Sequence, residues 1–152
     1  MLRTSQIVQR REAALLDFAY HAFRRRTGEL ASAATTDIDK ASKGILLFYA
    51  AECGLKALYM SRNSLRLSSD TNSVALKPAG AFGHRLDQLI RALKIRPDQL
   101  SHTPGTITLG DGQGLSVEQI HEAWRYGGGI SEADNVLAWL RRAVTYALEE
   151  LQ

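Results

Sequence analysis

Residues 43–60 read KGILLFYAAECGLKALYM, and the fold turns on how this stretch is read. Only Lys43, Glu52 and Lys56 carry charge, and the run after Gly44 is apolar nearly all the way round. A surface helix keeps a polar half, so a segment this apolar has to be enclosed by its neighbours. It is too short, and too charged at Glu52 and Lys56, to span a bilayer. Strands rarely run this long, and Ala, Leu and Met favour helix. The stretch therefore reads as the central helix of a small bundle.

At about 100° per residue the helix has three faces. Ala50, Gly54 and Ala57 form a flat strip open to a close neighbour, and Leu47, Ala51, Leu55 and Leu58 form an apolar ridge. Tyr49, Glu52, Lys56 and Tyr59 form a narrow polar stripe, with Glu52 and Lys56 in the favourable Glu-then-Lys order. Two readings of that stripe stay open. In one, Glu52 and Lys56 are a half-exposed ion pair worth roughly a few tenths of a kcal/mol. In the other, the stripe faces a polar site completed by later helices.

With 152 residues, the chain reads as a single domain, 1–152, with enough length for a real core. Hydrophobic residues make up 45% and charged residues 23%, the balance of an ordinary soluble protein. A formal charge of +3 permits an anionic partner without requiring one. The single cysteine, Cys53, rules out an internal disulfide and suits a reducing compartment. Residues 1–16, MLRTSQIVQRREAALL, contain no apolar run of signal-peptide length. A cytoplasmic location and no membrane association are the expectation.

Around the central helix, the spacing of Ile7, Ala14, Leu15, Phe18, Ala22 and Phe23 predicts a first helix over about Thr4–Arg26. Gly28 stops it, and Glu29–Asp37 is a connector in which Thr35, Thr36 or Asp37 caps the central helix. Residues 61–83 read as a long loop. A third helix covers about His84–Leu93, with Leu86, Leu89, Ile90 and Leu93 on one face. Residues 106–109, followed by Gly110-Asp111-Gly112, suggest a short strand or hairpin. Ser116 and Gln119 make a capping box for a short helix through Tyr126, ended by Gly127-Gly128-Gly129. Ser131 caps a last helix striped by Ala133, Val136, Leu137, Leu140, Val144, Ala147 and Leu151. The sum is an all-α, up-and-down bundle of four to five helices with two irregular insertions.

Three motifs in order carry a family resemblance: AAECGLKAL at 50–58, GHRLDQLI at 83–90 and WRYGGGISEADNVLAWLRRAVTYALEEL at 124–151. Together they resemble the HEPN domains of prokaryotes, over about Ile45–Leu151. The shared features are a Glu and a Lys four apart on an apolar helix, a Gly-His-x-Leu start to the third helix, and an Arg-Tyr before the last. The resemblance implies a HEPN-type bundle that forms a homodimer or a hetero-complex. It also implies a protein partner, a nucleotidyltransferase antitoxin or a larger defence effector, in a toxin–antitoxin or phage-defence setting. Glu52, Lys56, His84 and Tyr126 are then the residues that shape the site, and RNA or a nucleotide is its ligand.

Many HEPN domains are metal-independent ribonucleases marked by Arg, four to six residues, then His. Arg96 and His102 in RPDQLSH match that spacing, with Pro97 directly after the arginine. A second candidate pair is His121 and Arg125, four apart on the short helix and in reverse order. Metal-free RNA cleavage needs a base at the 2′-hydroxyl and a cation where charge builds on phosphate, roles suited to His and Arg. The alternative for Arg125 is a structural tie to Glu52. His21 has no obvious partner. Other chemistries lack their motifs: there is no zinc spacing, no phosphate loop ending in Lys and Ser/Thr, and no serine elbow. No metal and no cofactor are expected. Arg10, Arg11, Arg24, Arg25, Arg26, Arg141 and Arg142 either line a nucleic-acid surface or are solvated faces.

Overall fold

The computed structural model describes residues 16–152. The described chain is mostly helical, with α1 Tyr20–Ala33, α2 Lys40–Arg62, α3 Leu86–Ala92, α4 Ile120–Arg125 and α5 Ala133–Glu150. One antiparallel hairpin interrupts the helices: β1 Ile107–Thr108 pairs with β2 Gly114–Leu115, with Ile107 opposite Leu115. The second insertion thus contains the suggested strand. Among the described residues no helix is long and apolar enough to cross a membrane.

The 43–60 stretch lies within α2, which is enclosed as its composition demands, with every residue from Gly54 to Met60 buried. Helices α1 and α5 flank it, α4 crosses its first half, and α3 packs beside it. The strip of small residues sits at a close crossing. A Cβ on Gly54 would lie 2.8 Å from the Cβ of Ala147 on α5 and 3.1 Å from Cγ2 of Thr27 on α1. Near the start of α2, a Cβ on Gly44 would meet the Trp124 ring at 2.5 Å, so bare backbone there lets α4 settle against the helix. The α5 stripe is buried at Val136, Leu137, Leu140, Val144 and Ala147, and it is broader than the spacing suggested, because Trp139, Ala143 and Tyr146 are buried as well. The indole N–H of Trp139, which is fully buried, donates to the Ser101 carbonyl at 3.2 Å.

Several boundaries differ from expectation, each for a physical reason. The first helix is not Thr4–Arg26. Its expected first part, residues 4–15, lies outside the described residues, and the helix continues through Gly28 to Ala33. A mid-helix glycine costs only about 1 kcal/mol, and burying Thr27 and Leu30 on either side of Gly28 outweighs that. Ahead of α1 the chain is extended, because Phe18 and Ser68 exchange hydrogen bonds and Ala19 bridges to Leu67. The cap of α2 is Asp39, not Thr35, Thr36 or Asp37; its carboxylate accepts from the Ser42 N–H at 2.8 Å and the Ser42 hydroxyl at 2.6 Å. The 61–83 loop holds a short 3-10 turn, Ala79–Phe82. His84 lies just before α3 rather than within it. The Ser116–Gln119 capping box is present. Ser131 does not cap α5, since its N–H donates to Thr108 and its hydroxyl to Leu109, tying the chain to the hairpin.

Candidate functional site

The polar stripe of α2 is not a solvated edge. Lys56 Nζ donates to Glu52 Oε1 at 2.6 Å, and the two side chains are only 8% and 11% exposed. The half-exposed reading of this pair is therefore corrected: both side chains are buried. Isolated, either charge would be costly at this depth. Together they neutralise each other, and the second carboxylate oxygen remains for a further partner.

That partner is His84, whose Nδ1–H donates to Glu52 Oε2 at 3.1 Å. The turn that presents it depends on Gly83, at φ 56° and ψ −127°, a backbone region that a Cβ would strain. With Nδ1 on the carboxylate, the Nε2 edge of His84 is the one left for other contacts. Its side chain is 47% exposed, which makes His84 the accessible member of the cluster.

His121 arrives from α4. Its ring lies 4.3 Å from that of His84, centre to centre, and 5.0 Å from that of Phe48, so it is held between an exposed imidazole and a buried phenyl. The Tyr49 hydroxyl sits 3.2 Å from His121 Nδ1. His121 is buried at 3% exposure, and its Nε2 has no hydrogen-bond partner. Burial, then the neighbouring His84, holds the ring below the usual histidine pKa, with Arg125 adding to the effect and Glu122 and Glu52 opposing it. A neutral ring with Tyr49 donating at Nδ1 carries its proton on Nε2, where an acceptor is missing. Buried polar atoms are usually satisfied, so an orphaned one marks a place where a ligand group can bind.

Three residues of the stripe, Tyr49, Glu52 and Lys56, thus converge with His84 and His121. The remaining candidates fall elsewhere. Arg125 does not pair with Glu52. It is exposed and lies over the Tyr126 ring at 5.3 Å, and α4 ends there, so its side chain turns outward while His121 fills the inner position. The His121–Arg125 pair is brought into one neighbourhood, close enough for the arginine to disfavour the imidazolium, without a hydrogen bond between them. Tyr126 is 79% exposed.

Arg96 and His102 are not joined. The Arg96 guanidinium is tied to Asp98 at 3.0 and 3.2 Å, while its carbonyl accepts from Gln99 and Leu100 to start a single turn. His102 is exposed and shares a pocket with Glu132, Asn135 and Arg142. His21 is exposed, edge-on to Tyr20. In the basic triplet, Arg25 and Arg26 both reach Glu29. Burial pushes the Cys53 thiol up to about 11, which leaves it unreactive at neutral pH. Sequence reasoning placed Tyr49 on the stripe without giving it a role. Its spacing, three before Glu52, was the available signal.

Among the described residues no group of three or more His, Cys, Asp or Glu side chains is placed to hold a metal ion. Chemically the cluster offers one half-exposed imidazole oriented by a carboxylate, one buried neutral imidazole with a free nitrogen, and a phenol. Such a set can exchange protons and donate to an oxyanion. Comparison with protein-family models, with curated proteins and with solved structures finds no match to this chain.

Proposed function

We propose that the chain is a HEPN-like helical module that engages RNA or a nucleotide through the Tyr49–Glu52–Lys56–His84–His121 cluster. In this reading it acts within a multi-protein prokaryotic defence or toxin–antitoxin complex, alongside a nucleotidyltransferase or a larger effector. The observation that carries the ligand reading is the unpartnered Nε2 of His121, held next to the exposed His84. The Glu52–Lys56 pair supports it: two charges buried at the expense of desolvation orient one histidine rather than simply filling space. The mild positive charge of the whole chain suits an anionic ligand. The three ordered motifs supply the HEPN and partner parts of the proposal.

The test is tRNA binding and cleavage by the isolated protein in EDTA, beside His84→Ala, His121→Ala and His102→Ala. Binding without cleavage, weakened about tenfold by either of the first two changes, is the expected result. An absence of binding by the unaltered protein would remove the ligand reading. A second reading, a metal-independent ribonuclease, is favoured by one observation, the two imidazoles 4.3 Å apart. Cleavage in EDTA that disappears in His84→Ala or His121→Ala would establish it. Loss in His102→Ala alone would move the chemistry to the 96–102 turn.

A further inference from the structure

Away from the histidines, a half-open cavity of about 390 Å³ lies where α1 meets α2. That volume is within the range of small-molecule sites, roughly 300–1,000 Å³. Helix α1 lines it with Ala22, Arg25, Arg26 and Glu29, whose i, i+3, i+4, i+7 spacing puts them on one face. Thr27 and Leu30, on a different face of the same helix, are buried. Phe18 and Phe23 meet edge to face at 5.9 Å, and Cys53 of α2 completes a mainly apolar wall. Phe18 stays 47% exposed there.

The rim has the opposite character. Arg25 Nε lies 3.5 Å from one Glu29 carboxylate oxygen, and Arg26 Nη1 donates to the other at 2.9 Å. Two guanidiniums thus share one carboxylate, which leaves a single positive charge at the cavity. The Arg26 charge also reaches the Cys53 thiol, so the cation and the apolar wall face the same space. A neutral apolar ligand would leave that charge unmatched, and a small inorganic anion would leave the walls wet. One planar carboxylate matches both the single charge and the fork geometry of a guanidinium.

We propose that this cavity binds a carboxylic acid with an apolar body, of the medium-chain fatty-acid type. The tail lies against Phe18, Ala22, Phe23 and Cys53, and the carboxylate accepts from Arg25 and Arg26 at the rim. No residue of the cavity belongs to the histidine cluster, so this site stands independently of the RNA reading.

The experiment compares octanoate, octan-1-ol and acetate by calorimetry on the full chain. Each is titrated into the unaltered protein and into the double variant Arg25→Gln, Arg26→Gln. Octanoate should bind about tenfold more tightly than either the alcohol or acetate, since each of those lacks one half of the match. The double variant should weaken octanoate about tenfold and leave the alcohol unchanged. Both arginines are exposed, and an unchanged thermal melt verifies that the variant keeps its fold. Cys53 is the chain's single cysteine, so its alkylation by iodoacetamide in alkaline buffer reports on the cavity wall alone. Octanoate should slow that reaction. Equal affinity for octanoate and the alcohol, or octanoate binding unaffected by the double variant, would overturn the assignment to an acid. Octanoate binding that leaves Cys53 alkylation unchanged would place the ligand elsewhere and overturn the site. No octanoate binding by the full chain would overturn it as well.

Discussion

The two sides of α2 around its midpoint are built on opposite principles. On one side Gly54 is pressed between Ala147 and Thr27, with no room for a methyl group. On the other, Glu52 holds a buried lysine and a half-exposed histidine. The first side depends on volume alone, and any neighbour of the right shape would satisfy it. The second depends on chemical partners brought from distant parts of the chain. A helix can thus be fixed to its core by one face while the opposite face is reserved for polar work.

The largest expected effect comes from breaking the polar side. Glu52→Gln leaves Lys56 buried without a counter-charge and should cost about 3–5 kcal/mol of stability. Adding Lys56→Met should recover much of that loss, since a matched apolar pair avoids the desolvation penalty. Chemical denaturation of the two single variants and the double variant makes the cycle, and additive losses would mean the pair is not coupled.

Overpacking tests the apolar side. Gly54→Leu should cost about 1–3 kcal/mol as α1 and α5 are pushed apart. Gly28, helical and with open space where its Cβ would be, provides the contrast. There an alanine should raise stability by about 1 kcal/mol. Similar melting temperatures for the two variants would mean that the crossing at Gly54 is loose.

A smaller, pH-dependent effect belongs to His121. Its folded-state pKa is depressed, so the neutral ring is the form the fold favours. As pH falls below the ordinary value of 6.5, the unfolded chain takes up the proton first, and stability declines until the folded ring is protonated too. The melting temperature should therefore drop from neutral pH toward pH 5 more steeply in the unaltered protein than in His121→Gln. Parallel pH curves would place the ring in a solvated setting.

This contrast also decides what was legible in the sequence. Helices α2 and α5 could be read because their apolar spacing directly expresses burial on neighbours. The Gly54 crossing followed from three small residues on one strip. The end of α1 could not be read, because the local cost of Gly28 is outweighed by contacts that Thr27 and Leu30 make with other helices. The meeting of His84 and His121 was out of reach, because the 61–83 loop and the 94–116 segment set where those rings lie, and neither is periodic. The tie from Glu52 to Arg125 failed for a related reason. The acid had a closer partner in His84, and a six-residue helix gave His121, not Arg125, the inward position.

The most direct test of whether the polar side of α2 is a binding site is imidazole 15N NMR of the histidines, recorded with and without a short single-stranded RNA. The account predicts that the Nε2 signal of His121 moves on RNA addition, together with that of His84, while the backbone amide of Gly54 on the opposite side stays in place. If the His121 signal is unmoved by RNA, or moves only as much as the Gly54 amide, the cluster is a structural tie and the functional reading fails.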